Sequence, residues 1–188
     1  MIDRFWDEQS SGFFLRGKDD SPLIIRSKEI YDGATPSGNS VAVLDLLRLG
    51  RLTGDQRLDE FGRRALEGFA RTLEHSAFRY PQMLSAVDFA LGPTKEIVIA
   101  GDPAAPETAQ MLRTIHERFL PRVVAVLSPE GDSGKVIETL APYVKLQKPI
   151  GGKPTAYVCE NFICKLPTND LTRFAELLDQ HSFTVQRP

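Results

Sequence analysis

The apolar positions of residues 41–52 follow one another almost without interruption. Only three charged side chains, Asp45, Arg48 and Arg51, break the run, and their spacing of three places them on a narrow stripe of a helix. A helix with this pattern is buried over most of its circumference. We therefore predict that residues 41–52 form a helix with neighbours on nearly every side.

A second helix is predicted directly after the first. Gly54 suits the left-handed position that ends one helix, and Asp55 suits the N-cap of the next. Between residues 58 and 73, apolar side chains recur at helical spacing with arginines and glutamates between them. This spacing is typical of an amphipathic helix with one apolar face. The two helices form a predicted hairpin, and a third, short helix is predicted from about Pro81 to Leu91.

The periodicity changes after Gly92-Pro93. A β-branched run at residues 96–100, a helical pattern at residues 109–119 and a second apolar run at residues 122–127 predict a β-α-β unit with parallel strands. The predicted fold class is therefore mixed α+β.

Two parts of the chain are predicted. Residues 1–92 form a helical hairpin with loops, and residues 93–188 form a small α/β segment. Within the second part, short helices are predicted at residues 136–140 and at about 169–179. Residues 155–165 fit either one long strand or a hairpin.

Composition narrows the class of protein. With 41% hydrophobic and 26% charged residues, the chain resembles ordinary globular proteins. A net charge of -2 gives no indication of a nucleic-acid partner or an anionic membrane surface. The sequence lacks an apolar run of about 18 residues and a secretory signal pattern, so we expect no membrane span and a cytoplasmic location.

Two glycine-rich segments resemble nucleotide-binding loops only in part. Residues 131–135 lack the first glycine and the final Ser or Thr of a phosphate-binding loop, and residues 101–106 lack two glycines of a dinucleotide fingerprint. Both are interpreted as turns, and no cofactor is predicted.

The two cysteines, Cys159 and Cys164, have four residues between them, whereas a thioredoxin-type redox pair has two. Positions five apart in a strand face opposite sides. The sulfurs could therefore meet only across a hairpin turn, for which residues 160–163 are the candidate connector. Structural thiols are favoured, and a redox pair stays open. With two cysteines and three scattered histidines, no metal site is predicted.

Acids alternate with aromatic residues in the N-terminal region. Sugar sites use this combination, because aromatic rings stack on apolar sugar faces while carboxylates act as general acid and base. The same residue types cap helices and form ordinary solvated surfaces, which is the structural alternative. The candidate catalytic residues are Asp7, Glu8 and Asp32, and the candidate ligand-binding residues are Trp6, Tyr31, Ser37, Asn39 and Ser40.

Four motifs stand in order along the chain: residues 5–14 (FWDEQSSGFF), 28–34 (KEIYDGA), 36–40 (PSGNS) and 156–162 (AYVCENF), the last followed by Cys164 and Pro167. In these motifs the chain resembles the C-terminal part of the spermatogenesis-associated protein 20 family. The resemblance extends over nearly the whole chain.

The resemblance implies a longer parent architecture. Family members carry an N-terminal thioredoxin-like domain and then an α/α toroid similar to six-hairpin glycosidases and N-acylglucosamine 2-epimerases. A tail like this chain follows. The chain would then be the last hairpin of a toroid plus the terminal α/β segment. The link to carbohydrate metabolism is an analogy of fold. The epimerases rely on histidines around the whole ring, and none lies in the loops of this chain that would correspond to the toroid's mouth, which counts against epimerase chemistry.

Three functions follow as hypotheses. The chain alone is a non-catalytic module; or it carries a carbohydrate-binding or carbohydrate-processing site; or Cys159 and Cys164 serve a thiol redox accessory role with a thioredoxin-like partner. A helix apolar on nearly every side needs covering, because large exposed apolar patches are rare in soluble monomers. We therefore expect a homo-oligomer or packing against the missing parent domains, with a carbohydrate as the candidate ligand.

Overall fold

The structure is a computed structural model that describes residues 1–20 and 26–180. Within these residues the chain forms seven α-helices, two short 3₁₀-helices and four strands, which is a mixed α/β fold. The chain divides into two compact units. Unit 1 comprises Met1–Gly50 and Asp55–Leu91, and unit 2 comprises Arg51–Gly54 and the chain from Gly92 onward.

Unit 1 is helical. Its elements are α1 (Ile2–Phe5), α2 (Gly38–Thr53, whose last three residues belong to unit 2), α3 (Gln56–Ser76), a 3₁₀-helix (Ala77–Arg79) and α4 (Pro81–Leu91). The predicted end of α2 at Gly54 and the predicted N-cap of α3 at Asp55 are both confirmed. Gly54 has a φ of 75°, and the Asp55 carboxylate accepts a hydrogen bond from the backbone N–H of Arg57.

Helices α2 and α3 approach closely at two glycines. A Cβ atom on Gly50 would lie 2.9 Å from the backbone nitrogen of Asp59, and one on Gly62 would lie 2.8 Å from the side chain of Leu47. Contacts this short exclude a larger side chain at either position. The predicted hairpin of α2 and α3 is present. The helix predicted from about Pro81 to Leu91 is present as α4.

The predicted burial of α2 is wrong in one respect. Val41 and Leu49 are 39% and 46% exposed, and they share their side of the helix with exposed Asp45 and Arg48. Arg51 does not lie on this exposed side; it is half-buried and paired with Glu96. The periodicity shows which positions of a helix are apolar, whereas burial depends on which neighbours the chain supplies.

Unit 2 is built on a four-stranded sheet. Its elements are β1 (Lys95–Ala100), α5 (Pro106–His116), β2 (Val123–Ser128), α6 (Gly131–Leu140), a 3₁₀-helix (Pro142–Leu146), β3 (Thr155–Glu160), β4 (Ile163–Cys164) and α7 (Leu171–Asp179). The strand order is β2-β1-β3-β4. Strands β1 and β2 are parallel, which confirms the β-α-β prediction, and the other two pairs are antiparallel. Residues 155–165 form a hairpin.

Helix α6 starts earlier than predicted. Residues 131–135, interpreted from sequence as a turn, are its first residues. An ion pair three residues apart, Asp132 with Lys135, joins side chains on this first turn. Gly134 has no room for a side chain, because a Cβ there would lie 2.0 Å from the carbonyl oxygen of Pro129. The close approach of the Pro129 carbonyl thus requires glycine at position 134, although glycine has a low helix propensity.

The sheet has two differently covered faces. On one face, α5 and α7 cover the main core, which includes Ile97, Ile99, Met111, Phe174 and Leu178. On the other face, Val98 packs with Ala141 and Val144. Since side chains alternate along a strand, Glu96 lies on the same face as Val98.

Candidate functional site

The Asp32 carboxylate is buried and accepts three backbone hydrogen bonds. Oδ1 accepts from the N–H of Ser37 at 2.9 Å, and Oδ2 accepts from Gln82 at 2.9 Å and Met83 at 3.2 Å. Gln82 and Met83 lie in the first turn of α4, whose N–H groups have no partner within the helix. Asp32 therefore caps α4 and ties it to the preceding loop.

Asn39 connects two segments of unit 1 to the start of α2. Its Oδ1 accepts from the N–H of Phe13 at 2.7 Å, and its Nδ2 donates to the carbonyls of Phe13 and Glu29, each at 2.8 Å. Ser37 and Ser40 are also buried, with their hydroxyl oxygens 2.8 Å apart. The Ser37 hydroxyl accepts from the Ser40 N–H at 3.1 Å. The side chains of Ser37, Asn39 and Ser40 therefore form hydrogen bonds with other groups of unit 1.

Asp7 has a cluster of partners in the N-terminal segment. Its carboxylate accepts from Lys28 Nζ and from the Ser10 hydroxyl, each at 2.7 Å, and from the N–H of Gln9 at 2.9 Å. The hydrogen bond from Lys28 is the main cause that holds the pKa of Asp7 well below its usual range. Asp7 is therefore an ionised partner of Lys28, and this lowered pKa suits a general acid poorly.

Trp6 is buried, and its indole N–H donates to Glu8 at 3.2 Å. Its ring lies edge-on to Phe13 and Phe61, with centroids 5.2 Å and 4.8 Å away. Among the aromatic candidates Tyr31 is the exposed one, at 48%, with the Arg79 guanidinium 5.0 Å above its ring.

The structure thus brings some of the predicted site residues together and gives them partners inside the protein. Trp6 meets Glu8, Asp32 meets Ser37, and Ser37 meets Ser40. These contacts form caps, ion pairs and aromatic packing.

Cys159 and Cys164 lie directly opposite each other on β3 and β4. The two residues between the strands, Asn161 and Phe162, both have positive φ angles, of 50° and 63°. A two-residue turn with this conformation matches the twist of a hairpin. The sulfurs are joined in a disulfide. The two sulfurs thus meet across a hairpin turn, the one route that the spacing of the cysteines allowed.

The two sulfurs differ in environment, and Gln147 contacts both. Cys159 is 3% exposed, whereas Cys164 is an exposed residue. Gln147, 8% exposed, places Nε2 3.9 Å from the sulfur of Cys159 and 3.8 Å from that of Cys164. Its Oε1 is buried and has no hydrogen-bond partner among the residues that the structure describes.

Glu96, 1% exposed, is the register partner of Cys159 on β1. Its Oε2 accepts from the N–H of Phe162 at 2.9 Å, which holds the hairpin turn. Its Oε1 lies 3.4 Å from Arg51 Nη1. Burial raises the pKa of Glu96, while the Phe162 hydrogen bond and the Arg51 charge oppose the rise.

The aromatic rings of Phe162 and Tyr143 pack beside Arg51 and Glu96. The Arg51 guanidinium lies 5.4 Å above the Phe162 ring, and the Tyr143 ring lies edge-on to Phe162 with centroids 6.2 Å apart. Burial, with a smaller contribution from the charge of Glu96, raises the pKa of Tyr143 to about 12.

Sequence reasoning missed both Gln147 and Glu96. A signal existed for Glu96, because an acid that precedes a β-branched run falls on an alternating strand position. For Gln147 the sequence holds no such signal, since a glutamine twelve residues before a cysteine has no characteristic pattern.

Within the described residues, no group of three or more His, Cys, Asp and Glu side chains is arranged to hold a metal ion. No described helix combines the length and apolarity that crossing a membrane requires.

The chain is similar to known proteins over nearly its whole length. No family model matches it. The chain is 31% identical over 177 residues to spermatogenesis-associated protein 20 of Rattus norvegicus, and 31% identical over 175 residues to that of Homo sapiens. These matches cover 94% and 93% of this chain but 22% of each relative.

An uncharacterized protein of Caenorhabditis elegans is 26% identical over 185 residues, which is 94% of this chain and 24% of that protein. The chain therefore spans less than a quarter of the length of these relatives. The resemblance to the spermatogenesis-associated protein 20 family is confirmed, and the coverage agrees with a match to its C-terminal portion only.

Proposed function

We propose, from the similarity to the spermatogenesis-associated protein 20 family, that this chain acts as a non-catalytic C-terminal module. It would pack through the exposed side of α2 against the rest of a longer family protein. The observation that carries the proposal is the coverage, since more than three quarters of each relative has no counterpart here.

The exposed side of α2 supports this choice of occupant. Val41 and Leu49 are two turns apart on a 16-residue helix and are partly exposed. Burial of apolar surface contributes roughly 25 cal/mol per Å². In an α/α toroid the neighbouring helical hairpin would cover such a side, so we propose that preceding hairpin as the occupant.

In a solution of this chain alone, a second copy can cover the exposed side of α2 in place of that hairpin. We expect sedimentation velocity to show association that grows from low to high micromolar concentration. The double variant Val41→Glu, Leu49→Glu should remain monomeric. The matched control is Leu146→Glu, Leu166→Glu, which alters two highly exposed leucines of unit 2. A wild-type chain that is monomeric at high concentration, or equal association in both variants, would contradict the proposal.

A second candidate function is thiol–disulfide exchange at Cys159 and Cys164. The observation in its favour is the asymmetry of the bond: one sulfur belongs to an exposed residue and the other to a buried residue. An attacking thiolate needs access to one sulfur of the disulfide. The carbohydrate alternative has no comparable support, because most of the polar side chains proposed for it bind other groups of unit 1, namely Asp7, Glu8, Asp32, Ser37, Asn39 and Ser40.

Exchange is tested by treating the folded chain with dithiothreitol and then with oxidised glutathione. We expect two thiols to appear with dithiothreitol and to disappear again with oxidised glutathione, as measured by thiol titration and intact mass. The circular dichroism spectrum should stay constant throughout. The double variant Cys159→Ala, Cys164→Ala is the control for reagent effects. Reduction that occurs only after the chain unfolds would contradict this candidate.

A further inference from the structure

We propose that Gln147 is a catalytic residue of this exchange: its side-chain amide binds the sulfur of Cys159 when the disulfide opens. The inference rests on the exchange proposed above, and it assigns the attacked sulfur, the leaving sulfur and the group that stabilises it. The substrate class is a dithiol, either a small molecule or a protein.

The exposure of the two cysteines sets the direction of attack. A thiolate of the dithiol reaches the sulfur of Cys164 and forms a mixed disulfide with it. The bond between Cys164 and Cys159 breaks, and its electron pair leaves with the sulfur of Cys159. The second thiolate of the dithiol then attacks the dithiol's own sulfur in the mixed disulfide and releases Cys164. The dithiol becomes a disulfide, and the cysteine pair gains two electrons and two protons.

The leaving sulfur of Cys159 is buried, so it needs a partner inside the protein. Gln147 Nε2 lies 3.9 Å from it and can donate to the thiolate as its charge develops. Hydrogen bonds to a charged acceptor are roughly twice as strong as neutral ones. The amide adds no charge of its own to this buried site, unlike a lysine or arginine.

The side-chain carbonyl oxygen of Gln147 can serve the reduced form of Cys159. In the disulfide form Oε1 is buried without a hydrogen-bond partner in the described part of the chain. Such an atom carries a desolvation cost. A disulfide has no S–H group, whereas a thiol does. When Cys159 takes up its proton, the S–H can donate to Oε1. One amide therefore serves both the thiolate and the thiol.

The test compares wild type with Gln147→Met, which keeps the length of the side chain but removes its donor and acceptor. Gln110→Met, on an exposed position of α5, is the matched control. We expect Gln147→Met to reduce the rate of reduction by dithiothreitol about tenfold and to raise the pKa of one thiol by about one unit, read from thiolate ultraviolet absorbance. The control should behave as wild type.

The outcomes separate the two proposals. If wild type exchanges and Gln147→Met does so equally fast with the same thiol pKa, the role of Gln147 is overturned and exchange stands. If folded wild type does not exchange, both fall.

Should Gln147→Met fail to fold, the side-chain amide signals of Gln147 in wild-type NMR spectra decide. They should shift when the chain is reduced, and identical positions in both states would overturn the inference.

Discussion

The carboxylate of Asp32 connects its own loop to α4, which begins about fifty residues further along the chain. It binds the N–H of Ser37 before α2 and the N–H groups of Gln82 and Met83 in α4. A buried donor that loses its acceptor costs about 1–3 kcal/mol. Removing this one side chain would leave three donors without it.

We therefore expect Asp32→Ala to lower the free energy of unfolding by about 2–3 kcal/mol. Asp32→Asn should cost less, because its amide oxygen still accepts. Urea denaturation followed by the fluorescence of Trp6, which is buried in the same unit, measures both. Asp45→Ala, on the exposed side of α2, is the control. Unchanged stability in Asp32→Ala would show that Asp32 is not a structural cap.

The sequence could not distinguish a cap from a ligand group at Asp32. Asp, Asn and Ser appear at both kinds of position because both uses need a short side chain with an exposed oxygen. The decisive partner lies fifty residues further along the chain, and its approach depends on tertiary packing. Gly54 and Asp55 were predictable because their signals act on adjacent residues.

The β3–β4 hairpin depends on contacts that reach beyond its own strands. Glu96 on β1 accepts from the N–H of Phe162 in the turn, while Arg51 lies against both residues. A bulky residue at positive φ is unfavourable, so these contacts offset a local cost at Phe162. The sequence left a strand or a hairpin open here, because Asn161-Phe162 lacks the glycine that marks the commonest two-residue turn.

We expect Glu96→Gln to gain stability relative to wild type as pH rises. The folded-state pKa of Glu96 is raised above 4.5, so its contribution is fully present below that value and is lost as pH rises through the folded pKa. Glutamine is neutral at every pH. Hydrogen exchange of β1 and β3 amides between about pH 4 and pH 8 measures the difference, after correction for intrinsic exchange rates. Glu107→Gln, exposed on α5, is the control, and a gain that falls with pH would contradict the expectation.

The disulfide contributes little to the fold as a whole compared with the core of unit 2. Small secreted domains need such bonds because their cores are small. Among the described residues of unit 2, ten buried residues form a core between the sheet and two helices, and β3 pairs with β1 along six residues. The cysteines are five positions apart, so the bond closes a very short loop.

We therefore expect the reduced chain to stay folded. In the chain-entropy account, a loop this short contributes at most about 2 kcal/mol, and less where the hairpin forms without the bond. Urea denaturation with and without dithiothreitol, followed by circular dichroism and by hydrogen exchange of the β1 and β3 amides, measures the loss. The double variant Cys159→Ala, Cys164→Ala should match the reduced wild type and should not respond to dithiothreitol. A reduced chain that loses its secondary structure would make the disulfide a structural requirement, and reversible exchange on a folded protein would then fail as a function.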